Sequence, residues 1–201
     1  SDDQTQKIAE EVGAQVYHLP WGDDFSEARN EALKYVTGDW VLVLDADEVL
    51  APEAIKELLR EVNDRKAIGY RLPITNEGAK EQGTGYVPRL FRNAPGLFYV
   101  GRIHEQVFSS VEVRRRQWGM ENRLGHSRII HFGYTEEMTQ DRDKVARNLR
   151  LLKLAVEEMP DDANLMMNLG LELARSGNES ESLRCYRSSF DLLSETPESD
   201  I

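Results

Sequence analysis

Ile8, Ala9 and Val12 form a short apolar stripe at helical spacing, and Gly13 behind them is a fitting stop. Residues 15–19 read as a strand ended by Pro20. Phe25, Ala28, Ala32, Leu33 and Val36 fall on one face of a second helix, which Asp23 and Asp24 can cap. After a Thr37-Gly38-Asp39 turn, residues 40–44 are a continuous apolar run, the pattern of a strand buried on both faces. That run leads straight into Asp45-Ala46-Asp47-Glu48. Pro52 then opens a helix with Ile55, Leu58, Leu59 and Val62 facing inward. Helix, strand, helix, strand, helix over residues 1–64 predicts a parallel sheet with helices packed on it.

Beyond residue 68 the pattern changes. Strand-like runs at 69–73, 86–91, 98–100 and 128–131 are separated by Gly, Asn and Pro, which predicts an irregular, mostly antiparallel half with long loops. Gly78, Gly83 and Gly85 mark one such loop, and Arg114–Arg116 reads as a solvated strand or loop face. From about residue 136 the pattern is purely helical. Val145, Leu149, Leu152 and Val156 form one stripe, Pro160-Asp161-Asp162 breaks it, and Leu165, Leu169 and Leu173 form a second. Leu183, Tyr186 and Phe190 follow across a Ser176-Gly177-Asn178 turn. This tail resembles the tetratricopeptide repeat, with Leu169-Gly170, Leu173, Tyr186 and Ala155…Pro160 in place, Met166 where Trp is usual and Ser182 where Ala is usual. With about one and a half repeats, it must dock on the first domain or continue past Ile201. The boundaries expected are therefore residues 1–135 and 136–201.

Charge narrows the function. The chain has 201 residues with 25 Lys plus Arg and 36 Asp plus Glu, a formal net charge of −11. That balance argues against nucleic acid or an anionic membrane surface as a main partner, since both need clustered cations. Cys185 is alone, so neither an internal disulfide nor a cysteine-built zinc site is available, and a reducing, cytoplasmic setting is expected, the inner face of the membrane included.

The sharpest chemical signal is Asp45-Ala46-Asp47 at the end of the apolar run. In open α/β sheets ligands bind off the carboxyl ends of strands, and an Asp-x-Asp pair there can hold a hard divalent cation on a diphosphate. The bland alternative is a strand end followed by helix-capping acids. Residues 42–49 also resemble the first motif of haloacid-dehalogenase-like phosphatases, in which Asp45 is the nucleophile and Asp47 the general acid. That family needs a further acidic pair at another strand end, and the only downstream Asp-Asp, Asp161-Asp162, lies in the helical tail.

A wider resemblance rests on several spaced motifs. Asp23-Asp24-Phe25-Ser26-x-Ala-Arg29-Asn30, Gly38-Asp39-Trp40 through Asp45-Ala-Asp47-Glu48, Arg89-Leu90-Phe91-Arg92, Gly101-Arg-Ile-His104-Glu105 and Ile130-His131-Phe-Gly133-Tyr134 occur in order. Together they resemble family 2 glycosyltransferases of the GT-A fold, in particular the bacterial subgroup joined to tetratricopeptide repeats. The resemblance implies an α/β, GT-A-like mixed sheet with a helical tail. It implies inverting transfer of a sugar from a nucleotide-sugar donor, such as a UDP-sugar, to a glycan, lipid-linked or peptide acceptor, with Mg²⁺ or Mn²⁺ held by Asp47 and Asp45. Glu105 is the candidate general base, the alternative being a Glu paired with Arg102 or Arg92. His131 is the candidate third metal ligand, or else a structural histidine. Arg29 is expected at the nucleotide, or else pairs on the surface with Glu27 or an Asp. Arg89 is a candidate for the diphosphate, His104 for donor or acceptor, and Asp45 also for the donor.

In the family two strands and their helix precede a Ser-x-Asp-x-Thr turn, and Ser1, Asp3 and Thr5 resemble that turn itself. The first two strands are thus expected to be missing from this chain, which leaves sheet edges open to pairing in a homo-oligomer. The rival reading is a non-catalytic repeat module with a degenerate transferase half. Acceptor choice is expected in loops around residues 74–86 and 109–127.

Overall fold

In the computed structural model, which describes residues 4–77, 84–132 and 142–195, the first apolar stripe becomes α1 (Thr5–Glu11), and Gly13 follows it at φ +87°. Ile8 and Val12 of that stripe stay exposed. Residues 15–19 form no strand. A strand needs a ladder for its N–H and C=O groups, and no strand among the described residues pairs with them. Tyr17 instead stacks on Tyr35 with ring centroids 3.6 Å apart. Asp24 caps α2 (Phe25–Leu33), accepting from the Glu27 N–H at 3.1 Å.

The sheet contains β1 (Trp40–Leu42), β2 (Glu48–Leu50), β3 (Ala67–Asn76), β4 (Gly85–Arg92), β5 (Glu121–Leu124) and β6 (Ile129–His131). Its order is β1-β4-β3-β6-β2, with β5 against the first half of β3. β1 and β3 both run antiparallel to β4, and β2 runs antiparallel to β6, whereas β3 runs parallel to β5 and β6. The parallel sheet expected within residues 1–64 is therefore corrected. The two strands there pair antiparallel with strands from beyond residue 84, and the parallel ladders lie in the half expected to be antiparallel. Alternation along the chain names the elements but not their neighbours. The 40–44 run lies at the end of the sheet order, and within β1 only Val41 is buried, the residues on either side being half-buried.

Side chains from the strands alternate between two cores. Val41, Ile68 and Phe91 join Leu97, Tyr99, Val107, Phe108 and Val111 on one face. Ala67, Leu90, Leu72 and Ile129 join Leu58 and Val62 on the other. Those last two come from α3 (Ile55–Val62), which follows a 3₁₀ turn at Pro52–Ala54. Ile55 and Leu59, expected inward, are 53% and 58% exposed. The helix is rotated so that Glu61 faces in, where it accepts from the Ser127 hydroxyl at 2.6 Å and from the backbone N–H groups of His126 and Ser127 at 2.5 and 3.2 Å.

A second correction is α4 (Phe108–Trp118), which occupies much of the expected 109–127 loop and contains Arg114–Arg116. Phe108 and Val111 anchor it, and Gly119 ends it in the left-handed region at φ +65°. Residues 98–100 form only an isolated bridge, Val100 to Gln106. Gly78 and Gly83 lie outside the described residues, as does the family-like Gly133-Tyr134.

The tail forms α5 (Arg142–Glu158), α6 (Ala163–Arg175) and α7 (Glu179–Glu195). Leu165, Leu169 and Leu173 are buried as expected, but Leu183 and Phe190 are 57% and 71% exposed. α7 turns a small-residue face to α6 instead: Ser182 and Ser189 are buried, and the Tyr186 ring lies against Gly170. A methyl group on Gly170 would sit 2.8 Å from Tyr186 Cε1, so this approach needs glycine. The tail core also takes in Ile103 from the first domain.

Candidate functional site

The 45–48 turn is built from the strand end outward. Val43 extends the β1–β4 ladder by donating to the Arg89 carbonyl at 2.8 Å, and the chain then turns, with the Glu48 N–H donating to the Asp45 carbonyl at 2.9 Å. Glu48 folds back to accept from the Asp45 N–H at 3.0 Å. The turn thereby presents Asp45 and Asp47 off the end of the sheet.

Asp45 faces two guanidiniums. Arg29 of α2 donates to it from Nη2 at 3.2 Å, and Arg89 of β4 donates from its own Nη2. Arg89 Nη2 also reaches Glu48 Oε1 at 2.5 Å, and Arg29 Nε donates to Glu105. Partial burial pushes the Asp45 carboxyl up, but the charges and hydrogen bonds of Arg89 and Arg29 outweigh it and hold the group below the usual carboxylate range. Burial likewise lowers Arg29, and its bonds to Glu105 and Asp45 more than restore it. Burial pushes the Tyr99 phenol up. The Tyr99 ring lies under Arg29, 5.4 Å from the guanidinium carbon to the centroid, and Asn30 holds the Tyr99 backbone with bonds of 2.9 and 2.7 Å. Arg29, Arg89, Tyr99, Glu105, Gln106 and their neighbours line a pocket of about 170 Å³. The Arg89 Nε–H is buried and finds no acceptor among the described residues.

Asp47 stands apart from this cluster. Its Oδ2 lies 3.2 Å from Nε2 of His131, whose Nδ1 lies 2.9 Å from Asn76 Oδ1. Sheet register explains the meeting, because His131 is paired with Asn76 on one side and Glu48 on the other. The Phe132 N–H then donates to the Asp47 carbonyl at 2.8 Å. Among the described residues no three His, Cys, Asp or Glu side chains form a ready-made metal cluster. Asp47 and His131 bring a carboxylate and an imidazole side by side, and the asparagine contact orients the His131 ring. A hard divalent cation bound mainly through substrate phosphates and water needs no more than one or two protein ligands, so the pair fits one. Asp45, expected beside Asp47 as a ligand, accepts hydrogen bonds from Arg29 and Arg89.

Six of the seven sequence-derived candidates thus fall into two groups around one turn: Arg29, Arg89 and Glu105 on the pocket wall with Asp45 bonded to both arginines, and Asp47 with His131 beside them. His104 is apart from both, exposed on a residue with φ +55°. Glu105 pairs with Arg29 rather than with Arg102 or Arg92, and Arg29 pairs with Glu105 as well as with an Asp. Glu48, Asn76, Tyr99 and Asn30 were not among the candidates. Glu48 and Asn30 lie within the family-like motifs, whereas Asn76 and Tyr99 have no local signal.

The Glycosyl transferase family 2 model matches residues 1–139. A TPR repeat-containing protein of Synechococcus elongatus is 35% identical over 181 residues, 89% of this chain and 45% of that protein. The SPbeta prophage-derived glycosyltransferase SunS of Bacillus subtilis is 21% identical over 88% of this chain and 41% of its own length. The chain therefore spans less than half the length of these curated relatives. Among solved structures, S. aureus TarS 1-349 in complex with UDP-GlcNAc has a TM-score of 0.59 at 14% identity, covering 99% of this chain and 71% of that one. At that identity the likeness shows a shared GT-A-like fold.

Proposed function

Since this chain belongs to glycosyl transferase family 2, we propose that it transfers a sugar from a nucleoside-diphosphate donor to an acceptor hydroxyl or other nucleophile, with inversion and with divalent-metal help. The observation that carries the reading is the meeting of Arg29, Arg89 and Glu105 around one pocket, with Asp45 bonded to both arginines and the Asp47–His131 pair at the same turn. A UDP-sugar is the donor class, in keeping with the UDP-GlcNAc bound by the structural neighbour.

Asp47 and His131 would hold Mg²⁺ or Mn²⁺, which when bound offsets charge developing on the leaving diphosphate. Arg29 and Arg89 place two fixed cations at the pocket wall, where they orient an anionic donor without reorganising solvent. Arg89 brings an N–H that finds no acceptor among the described residues. Glu105 takes the proton from the attacking nucleophile as its lone pair forms the new bond to the anomeric carbon and the bond to the diphosphate breaks. One carboxylate suffices for a single displacement. Asp45, hydrogen-bonded to two guanidiniums, is poorly placed as the free nucleophile of the phosphatase alternative.

Calorimetric titration of UDP with and without Mn²⁺, beside Asp47→Ala, tests the donor site. Metal-dependent binding lost in the variant is expected. Equal binding in both proteins would remove Asp47 from the site, and no binding of any nucleoside diphosphate by the intact protein would sink the transferase reading in favour of the repeat module. UDP release from UDP-sugars, expected to fall by roughly a hundredfold or more in Glu105→Gln, tests the base.

A further inference from the structure

Glu105 sits on a short loop whose other side is gripped by the helical tail. Residues 100 and 106 close the loop with two backbone bonds, Val100 N–H to the Gln106 carbonyl at 3.0 Å and Gln106 N–H to the Val100 carbonyl at 2.9 Å. Between them Gly101 and His104 both have positive φ, +103° and +55°. That backbone sends successive side chains in different directions. Glu105 goes to the pocket. Ile103 goes into the tail core, 6% exposed, in one cluster with Leu151, Leu152, Ala155 and Leu165. Arg102 makes a two-pronged pair with Glu158 at the end of α5, from Nε at 2.8 Å and Nη2 at 2.5 Å.

The same helix grips the start of α2, which carries Arg29. Arg150 pairs with both carboxylate oxygens of Asp23, one at 2.6 Å. Arg147 lies over the Phe25 ring at 5.4 Å, and Phe25 packs against the tail core. Loop and helix are also tied directly: the Phe25 N–H donates to the Arg102 carbonyl at 2.9 Å, and Arg102 Nη1 donates to the Asp23 carbonyl at 3.2 Å. The two members of the Arg29–Glu105 pair therefore approach the pocket from two segments that share one anchor.

We propose that α5 is a positioning element of the site, acting through Arg102–Glu158 and Ile103 on Glu105, and through Arg150–Asp23 on Arg29. This rests on the reading of Glu105 as the base. The tail then sets turnover, in addition to anything its outer face recognises. Sub-ångström displacement of a reacting group is enough to matter, since a 1 Å misplacement can cost on the order of a hundredfold in rate. Arg102, Glu158 and Ile103 are positioning residues and do not enter the chemistry.

The test uses Arg102→Glu, Glu158→Arg and the double reversal in the intact protein. Three quantities are read: hydrogen exchange over residues 100–107, UDP release at saturating concentration of whichever UDP-sugar the wild type hydrolyses fastest, and UDP affinity by calorimetry. Each single reversal is expected to speed exchange in the loop and to lower kcat by roughly tenfold, with UDP affinity within about twofold. The double reversal is expected to recover most of both losses, as a paired contact should. Unchanged loop exchange in both single variants overturns the proposal. So does a loss that appears in UDP affinity and not in kcat, or a double variant no better than the singles. A wild type that releases no UDP from any UDP-sugar defeats the transferase reading itself, and this inference with it. An active wild type with indifferent variants defeats this inference alone.

Discussion

Arg89→Met isolates the electrostatics of the site. Arg89 is 17% exposed in its side chain and Glu48 only 3%, and Arg89 Nη2 is 2.5 Å from Glu48 Oε1. Methionine keeps much of the volume and removes the charge. Glu48 is then left buried with one hydrogen bond, from the Asp45 N–H at 3.0 Å. Breaking a buried pair by deleting one partner costs about 3–5 kcal/mol, and the partial exposure of Arg89 points to the low end, about 3 kcal/mol. Asp45 adds little, because it is 42% exposed and keeps Arg29, an interaction screened as surface pairs are. For a chain of this size about 3 kcal/mol lowers Tm by roughly 6–12 °C. Urea and thermal unfolding at neutral pH measure it, beside Arg89→Met/Glu48→Gln. The double variant removes the stranded charge and should recover at least half of the loss. A single-variant loss under about 1 kcal/mol, or a double variant no more stable than the single, would refute the argument that Glu48 depends on Arg89.

Three further outcomes follow from other contacts. Glu61→Ala strips acceptors from the Ser127 hydroxyl and two backbone N–H groups around a fully buried Ser127, and should cost about 3 kcal/mol in urea unfolding, with Glu61→Gln costing less. Gly170→Ala would place a methyl 2.8 Å from the Tyr186 ring and 3.2 Å from the Ser182 carbonyl oxygen; overpacking of about 2 kcal/mol against a helix-propensity gain of about 1 leaves a net loss near 1 kcal/mol, and a gain in stability would contradict the close approach. Because the folded Asp45 carboxyl is held below its ordinary value of 3.8, the stability it contributes is complete above that pH and lost as pH falls through the lowered folded value; Asp45→Asn should flatten this part of the pH–stability curve, measured by unfolding at stepped pH.

The parts of this molecule legible from its sequence are those decided within a few residues. Asp24 caps α2 because its own side chain reaches the Glu27 N–H, and Leu165, Leu169 and Leu173 share a face by helical period alone. The strand end at Asp45 is local in the same sense. α4 was hidden because Arg114–Arg116 and Gln117 blur its apolar stripe, although Phe108, Val111 and Gly119 carry the spacing and the stop. α7 was legible as a helix but not in its facing, since what decides the packed side is the missing Cβ of Gly170 on another helix.

The same limit explains the candidate site. The family resemblance points to Arg29, Arg89 and Glu105, and the end of the apolar run to Asp45, yet the contacts that could make them a site span 76 positions from Arg29 to Glu105 and 44 from Asp45 to Arg89. Asp45 shows why this matters. Read alone, it is a carboxylate free to bind a cation beside Asp47. Placed by β1, β4 and α2, it is a carboxylate between two guanidiniums, while Asp47 meets a histidine brought in by the register of β6. Which of two neighbouring acids faces a histidine and which faces arginine is set by strand pairing, so it is decided at the level of the sheet and not of the motif.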